Sequence, residues 1–198
     1  AIVVPGMGSE MGNFPKVRAD ARSLYGGADD MATIAWTGYD APKGLSSSVS
    51  GSLTGLWEVA RDDMARTGAG RLVDFVDGIR LDTAAGSTVT VIGHSYGSLT
   101  TGHAVQQGLR AERVVFIGSP GVGVDHVGEF DNDHVVEYFA GDVHGDPVAD
   151  LKRFGDAQTA PDFGATVFAA GDGDGIGKSR HREYIADATA IDTLRTIV

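Results

Sequence analysis

The chain has 198 residues, with 27 acidic and 16 basic side chains, a formal net charge of −11 and no cysteine. A chain of this length can bury a sizeable core in one domain. The acidic balance argues against nucleic acid as a partner, because phosphates are bound mainly by Lys and Arg. The lack of cysteine excludes disulfides, a thiolate nucleophile and cysteine-based metal sites.

The first residues and the apolar runs of the sequence bear on whether the chain is secreted or spans a membrane. The chain opens on a strand-like stretch without a basic leader, and no apolar run approaches the roughly 18 residues of a membrane span. We therefore expect a soluble chain with no signal peptide and no membrane span. The missing initial Met suggests that upstream residues were removed. Compartment and oligomeric state leave no signal in the sequence.

Six short runs of β-branched and apolar residues predict strands: Ala1–Val4, Ala32–Trp36, Thr88–Ile92, Arg113–Ile117, Val135–Phe139 and Ala165–Ala169. Their lack of polar alternation predicts strands covered on both faces. Two apolar sets with helical spacing lie between them: Val59, Met64, Leu72, Phe75, Val76 and Ile79, then Leu99, Ala104, Val105 and Leu109. The alternation predicts an α/β fold, with a mostly parallel sheet of about six strands and helices on both sides.

Three stretches are interpreted as connections. The Ser- and Gly-rich Ala41–Ser52 is typical of a surface loop, and Gly121–Asp133 is too short to carry a helical cap. We therefore expect a single domain over residues 1–198 without a large cap domain. Gly171–Gly175 alternates Gly and Asp as calcium loops do, but no carboxylate follows it over Ile176–Ser179, so a turn explains it equally well and no metal is expected.

The strongest chemical signal is a strand-like run that leads directly into Gly93-His94-Ser95-Tyr96-Gly97. Glycines two positions before and after a serine permit the tight strand-to-helix turn that presents a nucleophilic hydroxyl. With 29 glycines in the chain the bare pattern is weak evidence. Its place between a strand and a helix makes Ser95 the predicted nucleophile.

A serine nucleophile needs a base, and where this motif occurs the chain order is serine, acid, histidine. Five histidines fail that order because they flank the serine or precede the last strand: His94, His103, His126, His134 and His144. Only His181 follows the last strand. It is the predicted base, although its charged neighbours would otherwise suggest a solvated residue.

The acid should follow the strand before last, where two aspartates compete. Asp142 lies almost at the predicted strand end, and Asp146 precedes a proline that restricts its backbone. Either one is also typical of a turn or a helix cap. Position alone does not separate them.

The oxyanion formed during acyl transfer needs two amide donors. The N–H of Tyr96, directly after the nucleophile, is one candidate, and Met7 in the glycine-rich loop after the first strand is the other, with Gly8 as the alternative. That loop also resembles a dinucleotide fingerprint, but Gly12 comes one position late and Asp40 is too far along the chain. No cofactor is expected.

Five motifs together resemble the α/β-hydrolase superfamily, and within it a largely actinobacterial family of uncharacterised serine hydrolases: Val4–Gly8, Ala35–Pro42, Gly93–Ser98, Gly118–Gly123 and Asp146-Pro147. The resemblance implies Ser95 as nucleophile, Asp146 as acid and His181 as base. Measured against the superfamily pattern, we expect a sheet without the first strands, because Ala1 already begins the strand before the oxyanion loop. This shortened sheet is similar to that of cutinases.

These features predict a serine hydrolase that acts on a small carboxylic ester through a Ser95–His181–Asp146 triad and a backbone oxyanion hole. An amidase or peptidase would share the same groups, and the preference for esters comes from the resemblance. The rival from another class is a non-catalytic binding protein with an idle serine on the same fold.

Overall fold

The computed structural model of the chain describes residues 1–9, 11–27, 29–41, 62–135, 137–171, 181–182 and 184–198. Within these ranges the strands are β1 (Ile2–Val4), β2 (Ile34–Ala35), β3 (Thr90–His94), β4 (Arg113–Ile117), β5 (Glu137–Asp142) and β6 (Thr166–Ala169). The α-helices are α1 (Phe14–Tyr25), α2 (Asp62–Arg80), α3 (Tyr96–Gln106) and α4 (Ala188–Ile197). None of the described helices is long and apolar enough to cross a membrane.

The six strands form one parallel sheet in the order β2-β1-β3-β4-β5-β6. The chain moves outward from β1 to β2, and then returns to the other side of β1 to form β3. The strand order therefore reverses between β1 and β3. In open parallel sheets, ligands bind at the carboxyl ends of the strands beside such a reversal.

Two apolar cores cover the two faces of the sheet. Alternate residues of β1 show the division, because Ile2 and Val4 belong to the core that contains Leu72 and Leu99 of α2 and α3. Val3 belongs to the other core, which includes residues of α1 and α4 such as Leu194. The predicted three-layer α/β/α architecture with a six-stranded parallel sheet is confirmed.

The edges of the sheet differ from the sequence prediction. Among the described residues β6 pairs with β5 alone, and its Val167 is 45% exposed, so the expectation that every strand is covered on both faces is wrong for β6. Strand β5 continues three residues beyond the predicted end at Phe139, since its ladder with β6 extends to the Asp142–Ala169 pair. Gly141 lies inside that ladder, with Ile117 and Phe168 packed beside it.

The predicted connections fall partly outside the described residues. Residues 42–52 of the Ser/Gly-rich loop and residues 172–175 of the calcium-like stretch are not among the described residues. The same is true of Val59, the first residue of the predicted helical set. Gly121–Asp133 is described and contains one 3₁₀ turn, Val127–Glu129, with no α-helix.

Candidate active site

The turn between β3 and α3 explains why both glycines of the serine motif are needed. A Cβ on Gly93 would lie 2.7 Å from the Cα of Ser98, and a Cβ on Gly97 would collide with the carbonyl oxygen of Val4. The first glycine thus lets the helix fold back on the strand, and the second lets it approach β1. The Ser98 hydroxyl donates to the Gly93 carbonyl at 2.7 Å, which closes the turn.

Ser95 lies at the tip of this turn, with a backbone conformation that residues other than glycine rarely adopt. Its φ is 58° and its ψ is −130°, and its N–H donates to the carbonyl of Ile117 at the end of β4, at 2.9 Å. Strain of this kind costs on the order of 1–3 kcal/mol and persists where the surrounding contacts impose it. The serine is 5% exposed.

Because this strain arises from the side chain's Cβ, glycine should relieve it. We expect the free energy of unfolding of Ser95→Gly to exceed that of Ser95→Ala by about 1 kcal/mol. Glycine relieves the backbone strain, and part of this gain is offset because glycine loses more backbone entropy on folding. Both variants lack the hydroxyl, so the comparison isolates the backbone. Urea unfolding measures the difference, and an alanine variant as stable as the glycine variant would contradict a strained turn.

The loop after β1 packs directly against the serine. A Cβ on Gly6 would lie 2.6 Å from the Cβ of Ser95 and 3.0 Å from its Oγ, so only glycine leaves this space. Met7, the next residue, is the predicted oxyanion donor of this loop, with Gly8 as the alternative. Tyr96, the predicted donor from the other side, is the first residue of α3, where helix amides point outward and favour negative charge.

Side chains hold the carbonyls of the β1 loop in place. The Ser9 hydroxyl donates to the Gly6 carbonyl at 2.6 Å, and the Asn13 amide donates to the Gly8 carbonyl at 2.6 Å. The hydroxyl of buried Tyr39 donates to the Pro5 carbonyl at 2.5 Å. A loop fixed in this way suits a site that must present amides without rearranging.

The predicted acid and base come together at the carboxyl edge of the sheet. His181 Nδ1 lies 2.9 Å from Asp146 Oδ2 and 3.1 Å from Oδ1. A carboxylate accepts, so Nδ1 carries the proton and Nε2 is left with a lone pair. The imidazole lies against Gly118 at the end of β4, where a Cβ would be 2.9 Å from His181 Cε1.

Asp146 is buried, with 1% exposure, and remains charged. Burial raises its pKa, but hydrogen bonds from His181 and from the Val148 N–H, together with the charge of His181, bring the pKa below its usual value. Asp146 therefore stays ionised throughout the neutral range and can stabilise a cation on His181.

The other aspartate lies elsewhere. Asp142 is the last residue of β5, is exposed and pairs with Ala169 in the ladder. Of the two aspartates that sequence position left open, Asp146 is the one in contact with His181.

Two side chains near the site were missed at the sequence level. His94 was considered only as a base, yet its Nε2 lies 3.0 Å from the His181 carbonyl oxygen. Tyr184 is buried beside His94 and influences the pKa of Asp146. The position of His94 directly before the nucleophile was the available signal, whereas nothing in the sequence marks Tyr184 beyond its place three residues after His181.

Known proteins provide the comparison. A family described as Alpha/beta hydrolase matches residues 1–156, a range that includes Ser95 and Asp146 and ends before His181. An uncharacterised protein of Mycobacterium bovis is 41% identical over 102 residues, which cover 51% of this chain and 34% of that protein. An uncharacterised protein of Mycobacterium tuberculosis is 33% identical over 136 residues, covering 64% of this chain and 19% of that protein.

The match to these relatives thus spans about a third and about a fifth of their lengths. A crystal structure from Pectobacterium atrosepticum, named as a YdeN-like hydrolase, aligns with 98% of this chain and 88% of its own at 16% identity and a TM-score of 0.47. The family match covers well over half of the sequence. The chain belongs to the alpha/beta hydrolase family.

Proposed function

We propose that the protein is a serine hydrolase that cleaves carboxylic esters through an acyl-enzyme, with Ser95 as nucleophile, His181 as base and Asp146 as acid. The observation that carries the proposal is the His181–Asp146 hydrogen bond at the same sheet edge as the strained Ser95. A carboxylate that accepts from Nδ1 of a histidine is the arrangement that a histidine base of acyl transfer requires, which supports assigning His181 and Asp146 to these roles. One domain without a large cap would be sufficient for this chemistry.

The first half of the reaction forms the acyl-enzyme. The Ser95 hydroxyl attacks the acyl carbon as its proton passes to Nε2 of His181, and Asp146 stabilises the resulting imidazolium. The amides of Met7 and Tyr96 donate to the oxyanion of the tetrahedral intermediate. Its collapse breaks the ester C–O bond, and His181 returns the proton to the leaving alcohol.

The second half releases the acid. Water donates a proton to His181 Nε2 and attacks the acyl-serine carbonyl, and the same two amides stabilise the second oxyanion. Collapse of this intermediate gives the carboxylic acid, and the proton on His181 returns to Ser95. Each proton taken by His181 is thus given back, and no cofactor is needed.

A matched pair of substrates tests the reaction class. We expect p-nitrophenyl acetate to be hydrolysed with an initial burst of nitrophenol when deacylation is slow, and p-nitroacetanilide, with the same acyl group, to be left intact. Equal turnover of the anilide would instead indicate an amidase. A protein that turns over neither substrate and whose Ser95 is not labelled by a fluorophosphonate would instead be a non-catalytic binding protein.

A further inference from the structure

His94 is a buried side chain to which the proposed reaction gives no role. It lies at the end of β3 directly before Ser95 and is 9% exposed. Its Nε2 lies 3.0 Å from the backbone carbonyl oxygen of His181. A carbonyl can only accept a hydrogen bond, so the proton of His94 is on Nε2.

The surroundings of His94 keep its ring neutral. Burial first, and then the charge of His181, lower its pKa to about 3, against the opposing effect of the hydrogen bond to the His181 carbonyl. Lys16 lowers the pKa further, and Asp146 raises it. A neutral ring is needed here, because a second cation would oppose the imidazolium that forms on His181 during the reaction.

His94 also contacts the ring of His181. The two imidazoles stack with centroids 5.0 Å apart and planes 26° from parallel, and the Tyr184 ring packs against His94 at 6.3 Å. His181 is therefore held at its Nδ1 by Asp146, at its carbonyl by His94 and on its ring by His94 and Gly118. The bond to Asp146 alone would leave the imidazole able to swing about one nitrogen.

Resting on the proposed role of His181 as base, we propose that His94 is a positioning residue for that base. Its Nε2–H holds the main chain at His181, and its neutral ring supports the imidazole in the orientation needed for proton transfer. A displacement of about 1 Å at a reacting group costs roughly 100-fold in rate. The histidine within the serine motif would thus act on the third member of the triad, 87 residues further along the chain.

Two substitutions at His94 separate the donor from the ring. His94→Phe keeps a flat ring but has no donor, and we expect kcat for p-nitrophenyl acetate to fall roughly 10- to 100-fold with little change in KM. His94→Gln places an amide N–H near the position of Nε2 and should recover most of that loss. His134→Gln, at an exposed histidine, is the matched control. His94→Met replaces the phenylalanine variant if the latter does not fold.

A readout specific to His181 distinguishes positioning from general destabilisation. We expect the His181 Nδ1–H of the wild type to give a far-downfield proton resonance, which should persist in His94→Gln and weaken or disappear in His94→Phe. In a His181→Gln background, His94→Phe should lower the residual kcat less than twofold, because the base that it positions is already absent. An undiminished loss in that background would overturn the proposal, as would equal losses in the glutamine and phenylalanine variants.

The same series keeps this proposal distinct from the proposed function. If His181→Gln retains wild-type activity, then the proposed triad is wrong and the positioning role fails with it. If His181→Gln is inactive while His94→Phe turns over ester at the wild-type rate, then the triad stands and only the role of His94 is refuted.

Discussion

Ser95→Ala should lower kcat for p-nitrophenyl acetate by about 10⁶-fold, because loss of the serine in comparable triads removes nearly all covalent catalysis. The residual rate should remain above that in water, since the predicted oxyanion donors Met7 and Tyr96 are backbone amides that the substitution leaves in place. Steady-state assays measure the ratio of the two kcat values, with the wild-type enzyme diluted until its rate matches the residual rate of the variant.

The control for this loss is Ser23→Ala. Ser23 lies on α1, and its hydroxyl donates to the Ala19 carbonyl. Its variant should keep wild-type kcat. If Ser95→Ala retains more than a small fraction of the wild-type rate, another group is the nucleophile and the proposed mechanism is wrong.

Asp146→Asn should lower kcat by roughly 10⁴-fold. The asparagine amide can donate to Nδ1 of His181, which favours the tautomer with its proton on Nε2 and removes the lone pair that accepts the serine proton. The loss of negative charge also destabilises the imidazolium. Since the pKa of Asp146 lies below its usual value, the wild-type carboxylate is ionised throughout a neutral assay range, so the variant's defect should persist there at every pH.

Asp142→Asn is the matched control, with the same chemical change four residues earlier. Asp142 is exposed at the end of β5 and should tolerate the amide with a change of less than about twofold, as for most surface substitutions. The ratio of the two kcat values is the test. A larger loss at Asp142 than at Asp146 would reassign the acid.

The sequence predicted the fold because the signals for it are local. Short β-branched runs alternate with helical spacing, and six parallel strands with helices on both sides were the expected result. The errors lie at the edges. The sequence predicted that β5 ends at Phe139, yet the strand continues through Gly141, where the side chains of Ile117 and Phe168 occupy the available space.

The site was less predictable because its contacts join distant parts of the chain. The serine motif indicated Ser95, since two glycines and a strand-to-helix turn are local features. Position along the chain could not choose between Asp146 and Asp142, and only the family resemblance favoured Asp146. A choice from the residues themselves depends on how far β5 runs, which is set by its ladder with β6. The position of His94 directly before the nucleophile marks the residue, but its hydrogen bond to the His181 carbonyl, 87 residues further along the chain, cannot be read from that position.

The central claim is that Ser95 is activated by His181 and Asp146, and covalent labelling tests it most directly. Incubation with a fluorophosphonate, followed by peptide mass mapping, should give one adduct, on Ser95, formed quickly in the wild type and far more slowly in His181→Gln. An unactivated hydroxyl does not react at a useful rate. Absence of an adduct on the folded wild-type protein, or labelling of Ser95 that proceeds equally fast without His181, would contradict the account.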